Sequence, residues 1–211
     1  MEHIIPPDAA PIEYTRGPAA APKPVTSIEF TRLRNKNGPL SKRFWVDGDV
    51  LKKAPAAALT DGTAERVKLQ TLQEFADLAG SLRSEEALAY GITAAEDARV
   101  VTQRALKKGA YPGAIARDLD HFAWSSGAGV FMLDFDKPSS GEIWSAHDLD
   151  AMLCRALPWW EAVERFYRPS VSAYIYHEND GLELSGAGSW RCYVIADIAA
   201  NIPFLATMHL T

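Results

Sequence analysis

Asp134 and Asp136 are the residues of this chain whose types and spacing most directly imply chemistry. They end the run Gly129-Val-Phe-Met-Leu-Asp-Phe-Asp136, whose four consecutive apolar residues, Val130 to Leu133, read as a strand buried on both faces. Side chains alternate along a strand, so positions i and i+2 project from one face. Two carboxylates side by side at the end of a buried strand repel each other, and burial penalises both charges. A divalent cation removes that conflict, and paired oxygen ligands suit Mg²⁺ or Mn²⁺. Enzymes of phosphoryl and nucleotidyl transfer hold catalytic metals on such pairs. The same spacing also fits a helix N-cap followed by a solvated turn residue, with Lys137-Pro138 as ordinary loop chemistry.

Three further groups could serve the same site. Arg168-Pro169-Ser170-Val171-Ser172 offers a guanidinium and two hydroxyls at a strand entry. On a strand Ser170 and Ser172 share a face and could donate to one phosphate, or they could be small residues in a tight sheet position. Gly186-Ala-Gly-Ser-Trp-Arg191 leads a glycine-rich turn into a strand whose Arg191 could bind a triphosphate bidentately, or could be a surface arginine. Lys42, Arg43, Lys52 and Lys53 belong to a basic run that also holds Arg32, Arg34 and Lys36 and is interleaved with Phe44 and Trp45. Such a run can contact a nucleic-acid template or form a solvated hairpin face.

The elements that must position these groups follow from local pattern. Asp47-Gly48 predicts a β-hairpin between strands over 41–46 and 50–53. Arg66 to Leu69 alternates as a half-buried strand, and Arg99 to Thr102 as a short one. Thr71 caps a predicted helix over 72–82 that buries Leu72, Phe75, Ala76 and Ala79. Glu85 to Tyr90 reads as a second helix stopped by Gly91. Ser145-Ala-His-Asp148 is a capping-box variant opening a helix through Arg155, with Leu149, Met152 and Leu153 inward. Pro158 starts another predicted helix through Phe166, and strands are expected over 168–176 and 190–196. This is an α/β order without an internal repeat.

Composition sets the bounds. With 211 residues and 47% apolar content the chain makes one ordinary domain or two small ones. No run approaches the ~18 apolar residues of a membrane span. Cys154 and Cys192 have neither zinc nor disulfide spacing, which predicts buried thiols in a reducing cytoplasm. A net charge of −5 argues against a general nucleic-acid coat but leaves room for a local basic groove. Residues 1–26 are Pro/Ala-rich and predict an extended or disordered arm, followed by one domain over 27–211. The stretch Ile202 to Thr211 reads as an apolar helix without a stop signal, predicting a domain incomplete at its C-terminal end.

Phe131-Met-Leu-Asp-Phe-Asp136, Arg168-Pro-Ser-Val-Ser172 and Ser189-Trp-Arg-Cys-Tyr193 together resemble the archaeo-eukaryotic primase superfamily, particularly prim-pol domains of phage, plasmid and prophage replication proteins. That family orders an hhhDhD strand, a serine-containing strand, a Gly-x-His-hydrophobic-Tyr strand and a later hydrophobic-Asp. Leu40-Ser-Lys-Arg-Phe44, Gly62-Thr-Ala-Glu65 and Val100-Val-Thr-Gln103 resemble the N-terminal part of a prophage-encoded branch, so the likeness spans residues 30–200. It implies a mixed N-terminal unit packed on an RRM-like palm sheet, and two-metal, template-directed nucleotidyl transfer. Asp134 and Asp136 would hold Mg²⁺ or Mn²⁺, and Arg168, Ser170, Ser172 and Arg191 would surround the triphosphate. Implied partners are a single-stranded DNA template, nucleoside triphosphates and a helicase module of the same protein, in the cytoplasm of a bacterial or phage-infected cell. Two features depart from the family. Arg191 stands where it has histidine, and a third carboxylate is lacking, since Asp197 follows its strand too closely. A non-catalytic nucleic-acid- or partner-binding fragment is therefore an alternative. Haloacid-dehalogenase phosphatases follow D-x-D with Gly-Thr or Gly-Val, unlike Lys137-Pro138, whereas D-x-D nucleotide-sugar transferases stay open.

Overall fold

Two antiparallel-rich sheets share one helix between them. The computed structural model describes residues 13–15, 27–48, 50–55, 58–136, 141–177, 180–186 and 189–205. The larger sheet combines β2 (Ile28–Asn35), β5 (Asp61–Leu69), β6 (Glu86–Ala89), β8 (Asp97–Val101) and β9 (Ile115–Ala116) in the order β6-β2-β5-β8-β9. All neighbours in it are antiparallel except β8 and β9. The second sheet combines β1 (Glu13–Thr15), β11 (Gly129–Phe135), β12 (Arg165–Pro169) and β15 (Trp190–Ala196), in the order β1-β12-β15-β11 and antiparallel throughout. β1 falls inside the stretch whose composition predicts an extended arm, and it forms the sheet's edge strand. The rest of residues 1–26 lies outside the described residues.

Three two-stranded ribbons complete the strands: β3 (Arg43–Asp47) with β4 (Val50–Ala54), β7 (Ile92–Thr93) with β10 (Phe122–Ala123), and β13 (Ile175–Tyr176) with β14 (Glu183–Ser185). The chain is thus a mixed α/β fold, mostly strand. No helix of the described residues is long and apolar enough to cross a membrane.

Helix α1 (Leu72–Ser81) starts at Thr71, whose side chain accepts a hydrogen bond from the Glu74 backbone N–H. Its buried residues are Leu72, Phe75, Ala76 and Ala79, as the spacing predicts. Phe75 is the hub: its ring lies 5.4 Å from Phe30, 6.1 Å from Phe166 and 5.4 Å from Tyr193, so it touches both sheets. The opposite face of the four-stranded sheet is covered by α3 (Ala146–Ala156), which opens on the predicted capping box of Ser145 and Asp148. A short α2 (Gln103–Lys107) and α4 (Ile202–Leu205) lie at the edges.

The structure corrects three element readings. Glu85 to Tyr90 is not a helix, because Glu86–Ala89 pairs with β2 and supplies the last strand of its sheet. Pro158 starts only a 3-10 turn, Pro158–Ala162, after which Arg165 and Phe166 already belong to β12. Phe166 is fully buried and stacks on Tyr193 at 4.7 Å, so sheet packing overrides the helical start signal. The strand expected over 168–176 ends at Pro169. Ser170 to Tyr174 then turns, with Tyr174 in the left-handed region at φ 52°, before β13.

Candidate active site

Alternation along β11 explains where the acidic pair points. Val130 and Met132 face the α1 side and join the Phe30–Phe75 cluster, whereas Phe131, Leu133 and Phe135 face α3. Covering both faces requires the unbroken apolar run that marks this strand in the sequence. Asp134 comes next on the α1 side, where the cover ends, and its side chain is 45% exposed.

The register decides its company. Asp134 pairs with Arg191 on β15, and Arg191 pairs with Arg168 on β12. Arg191 shares its face with Tyr193, and Arg168 with Phe166, both of which belong to the α1-side cluster. The three charged residues therefore form a row across three adjacent strands. Arg191 Nε lies 3.6 Å from Asp134 Oδ1, an ion pair too long for a hydrogen bond. That Nε is shielded from solvent and has no hydrogen-bond partner among the described residues. Arg168 Nη1 donates to the Ala79 carbonyl at 2.7 Å, near the C-terminus of α1, where a cation also complements the helix dipole.

A second row runs one step further along the same strands. Asp136, exposed and just beyond β11, accepts a hydrogen bond from Ser189 Oγ at 3.4 Å. The Ser170 backbone N–H donates to the Ser189 carbonyl at 2.8 Å, which places Ser170 on the far side of Ser189. Ser170 and Ser172 do not share a strand face as the sequence suggests. Ser170 is buried at a turn, and its Oγ lies 3.0 Å from Ser172 Oγ. One hydroxyl of that pair donates to the other, so at most one proton is left for a phosphate.

Tyr90 and Tyr193 form the apolar floor of the site. Tyr90 arrives from the loop after β6, and its hydroxyl donates to Met132 Sδ at 3.4 Å. Burial pushes the pKa of both phenols up; the Arg191 charge works against that rise, and the Asp134 charge adds to it. Tyr90 carries no motif that would single it out as a site residue, and Ser189, though it heads the Ser189–Tyr193 stretch, gains its place beside Asp136 only from the pairing of β15 with β11.

The donor set can be judged for a metal directly. Mg²⁺ characteristically takes one or two carboxylates and completes its shell with water and substrate phosphates. Exposed Asp134 and Asp136, with no third His, Cys, Asp or Glu grouped beside them among the described residues, fit that mode rather than an all-protein cage. Asp197 cannot join them: it follows the opposite end of β15, about 20 Å from Arg191 at ~3.3 Å per residue.

No family model, no curated protein and no solved structure matches the chain.

The cations expected at a template lie elsewhere. Lys42 precedes β3, and Arg43, Lys52 and Lys53 lie on the β3–β4 hairpin, all four exposed. The hairpin joins neither large sheet.

Proposed function

We propose that this chain carries the catalytic core of a metal-dependent nucleotidyl transferase of the primase–polymerase kind, built on an RRM-like palm and acting on nucleoside triphosphates along a single-stranded DNA template. The observation that supports it best is the row Arg168–Arg191–Asp134 with Asp136 beside it: two guanidiniums next to two carboxylates at one end of a sheet. A triphosphate carrying its metal presents the complementary arrangement, with a cation for the carboxylates and phosphate oxygens for the arginines. Asp134 and Asp136 would hold Mg²⁺ or Mn²⁺. Bound there, the cation would favour deprotonation of the attacking hydroxyl and neutralise charge on the leaving pyrophosphate. Arg191 can turn its unbonded Nε–H and its remaining donors toward phosphate, since its ion pair with Asp134 is loose. Arg168 keeps donors beyond the one given to Ala79. Ser189 orients the Asp136 carboxylate, and the Ser170–Ser172 pair offers one hydroxyl proton beside it.

One observation favours a second reading, a binding module without catalysis: no third carboxylate joins the pair among the described residues. Incorporation of labelled nucleotides on single-stranded DNA with Mn²⁺ separates the two. The transferase reading expects synthesis that Asp134→Asn or Asp136→Asn abolishes without lowering the melting temperature. Calorimetric Mn²⁺ binding unchanged in the double variant would sink the metal assignment. Metal and DNA binding without any incorporation would select the module.

A further inference from the structure

The structure sorts the N-terminal cations into two populations that the sequence shows as one run. Arg32 is paired with Glu65, Arg34 with Glu85 at 3.4 Å and Lys36 with Asp61 at 4.0 Å. Their charge is balanced on the surface of the five-stranded sheet. Lys42, Arg43, Lys52 and Lys53 make no ion pair among the described residues. Arg43, Lys52 and Lys53 lie on one ribbon whose strands contain no buried residue, and Lys42 directly precedes it. Leu40 before it and Leu59 after it pack on the cluster of Leu33, Ala64 and Val100, so the ribbon's base is anchored while its strands stand clear.

Register then defines a face. Trp45 lies directly opposite Lys52, and Arg43 is two residues along the same strand. Directly opposed residues of an antiparallel pair share a face, as do positions i and i+2. An indole, 39% exposed, is thereby flanked by two unneutralised cations. Asp47, two residues beyond Trp45, ends that face with a carboxylate, so a polyanion with flat apolar rings spaced along it suits the Arg43–Trp45–Lys52 part: bases stack on the indole, and phosphates neutralise the cations.

We propose that the β3–β4 hairpin is a single-stranded DNA-binding element in which Trp45 stacks on a base while Arg43 and Lys52 on the same face neutralise flanking phosphates, with Lys42 just before the ribbon and Lys53 on its other face adding positive charge. The inference deepens the transferase reading by naming what grips its template. Its test omits divalent metal and nucleotide, so either idea can fail while the other stands.

The experiment is fluorescence anisotropy of a labelled oligothymidylate of about 16 nucleotides in EDTA, titrated with the full chain over a range of salt. Trp45→Ala is expected to weaken binding by roughly tenfold or more, the loss of one stacked base. Replacing Lys42, Arg43, Lys52 and Lys53 together with Gln should flatten the slope of log K against log salt by roughly 1 to 3, at about 0.7 per phosphate contact on single strands. Arg32→Gln, whose charge Glu65 already balances, should leave the affinity within about twofold. Should Trp45→Ala lose its cooperative melt, the exposed pair Arg43→Gln/Lys52→Gln tests the same face through a slope reduced by roughly 1 to 2. Affinity and slope that ignore all hairpin variants would overturn the proposal. So would binding to phosphatidylserine vesicles with none to the oligonucleotide, which would make the ribbon a membrane contact.

Discussion

Removing the Asp150 carboxylate should cost this protein about 4 kcal/mol, the typical penalty for breaking a buried ion pair. Arg165 begins β12 with its side chain 5% exposed, and Asp150 on α3 is 14% exposed. The guanidinium meets the carboxylate in a fork, with Nη2 donating to Oδ2 at 2.8 Å and Nε donating to Oδ1. Tyr167 Oη donates to the same carboxylate at 2.9 Å, and Arg165 Nη1 donates to the carbonyls of Trp160 and Val163, each at 2.7 Å. Asp150→Ala therefore strands a buried cation, for about 3–5 kcal/mol, and a buried phenol, for about 1–3. The two losses share one network and do not add, which leaves the total at about 4 kcal/mol. With a urea m-value of about 2 kcal/mol/M the unfolding midpoint should fall by about 2 M. A double change, Asp150→Leu with Arg165→Met, should recover part of this but not all, because the Trp160 and Val163 carbonyls then lose their donor.

The acid limb supplies an independent check. Burial works to raise the Asp150 pKa, but hydrogen bonds from Arg165 and Tyr167 and the Arg165 charge outweigh it and hold the group below its ordinary value. A carboxyl depressed by folding contributes stability that is complete above its unfolded pKa, near 3.9, and is lost as pH falls through its folded value. The gap between wild type and Asp150→Asn should narrow below about pH 4. A midpoint shift under about 0.5 M at pH 7, or a gap that stays constant into acid, would refute the reasoning.

Other expectations can be checked alongside. Arg191→Ala should weaken nucleoside triphosphate binding by about 1–3 kcal/mol, read by calorimetry; indifference would make Arg191 a structural partner of Asp134 only. Gly62→Ala should cost about 3 kcal/mol in urea unfolding, because the new Cβ would sit 2.1 Å from the Arg34 carbonyl oxygen and 2.8 Å from Leu59 Cδ1. A near-neutral result would mean that β2 and β5 can part locally without cost. Cys192 is fully buried, and burial pushes its thiol up to about 12, so a thiol reagent at pH 8 should label it only after unfolding. Rapid native labelling, mapped by mass spectrometry, would contradict that burial.

Features that a few neighbouring residues determine are legible in the sequence alone. Thr71 and Ser145 cap the helices that their spacing predicts, since an N-cap satisfies an N–H only three residues away. The hairpin at Asp47-Gly48 forms where expected, with Gly48 at φ +61°. Val130 to Leu133 betrays a strand covered on both faces, because only such a strand needs apolar residues at consecutive positions. What depends on pairing between distant segments is decided by the tertiary structure. Glu-Ala-Leu-Ala at 86–89 favours a helix by propensity, yet the open edge of β2 offers it a ladder of hydrogen bonds and makes it a strand. Pro158 starts a helix turn by local rule, yet the Arg165–Asp150 fork and the stacking of Phe166 on Tyr193 draw the following residues into the sheet. Arg168, Arg191 and Asp134 share no local spacing, and only the register of β12, β15 and β11 sets them in a row. The basic run divides into balanced and unbalanced cations for the same reason: Glu65, Glu85 and Asp61 reach Arg32, Arg34 and Lys36 through the folding of the five-stranded sheet. Local rules act over one turn or one pleat, whereas charge balance and strand register are settled by whichever distant segment the packed core brings alongside.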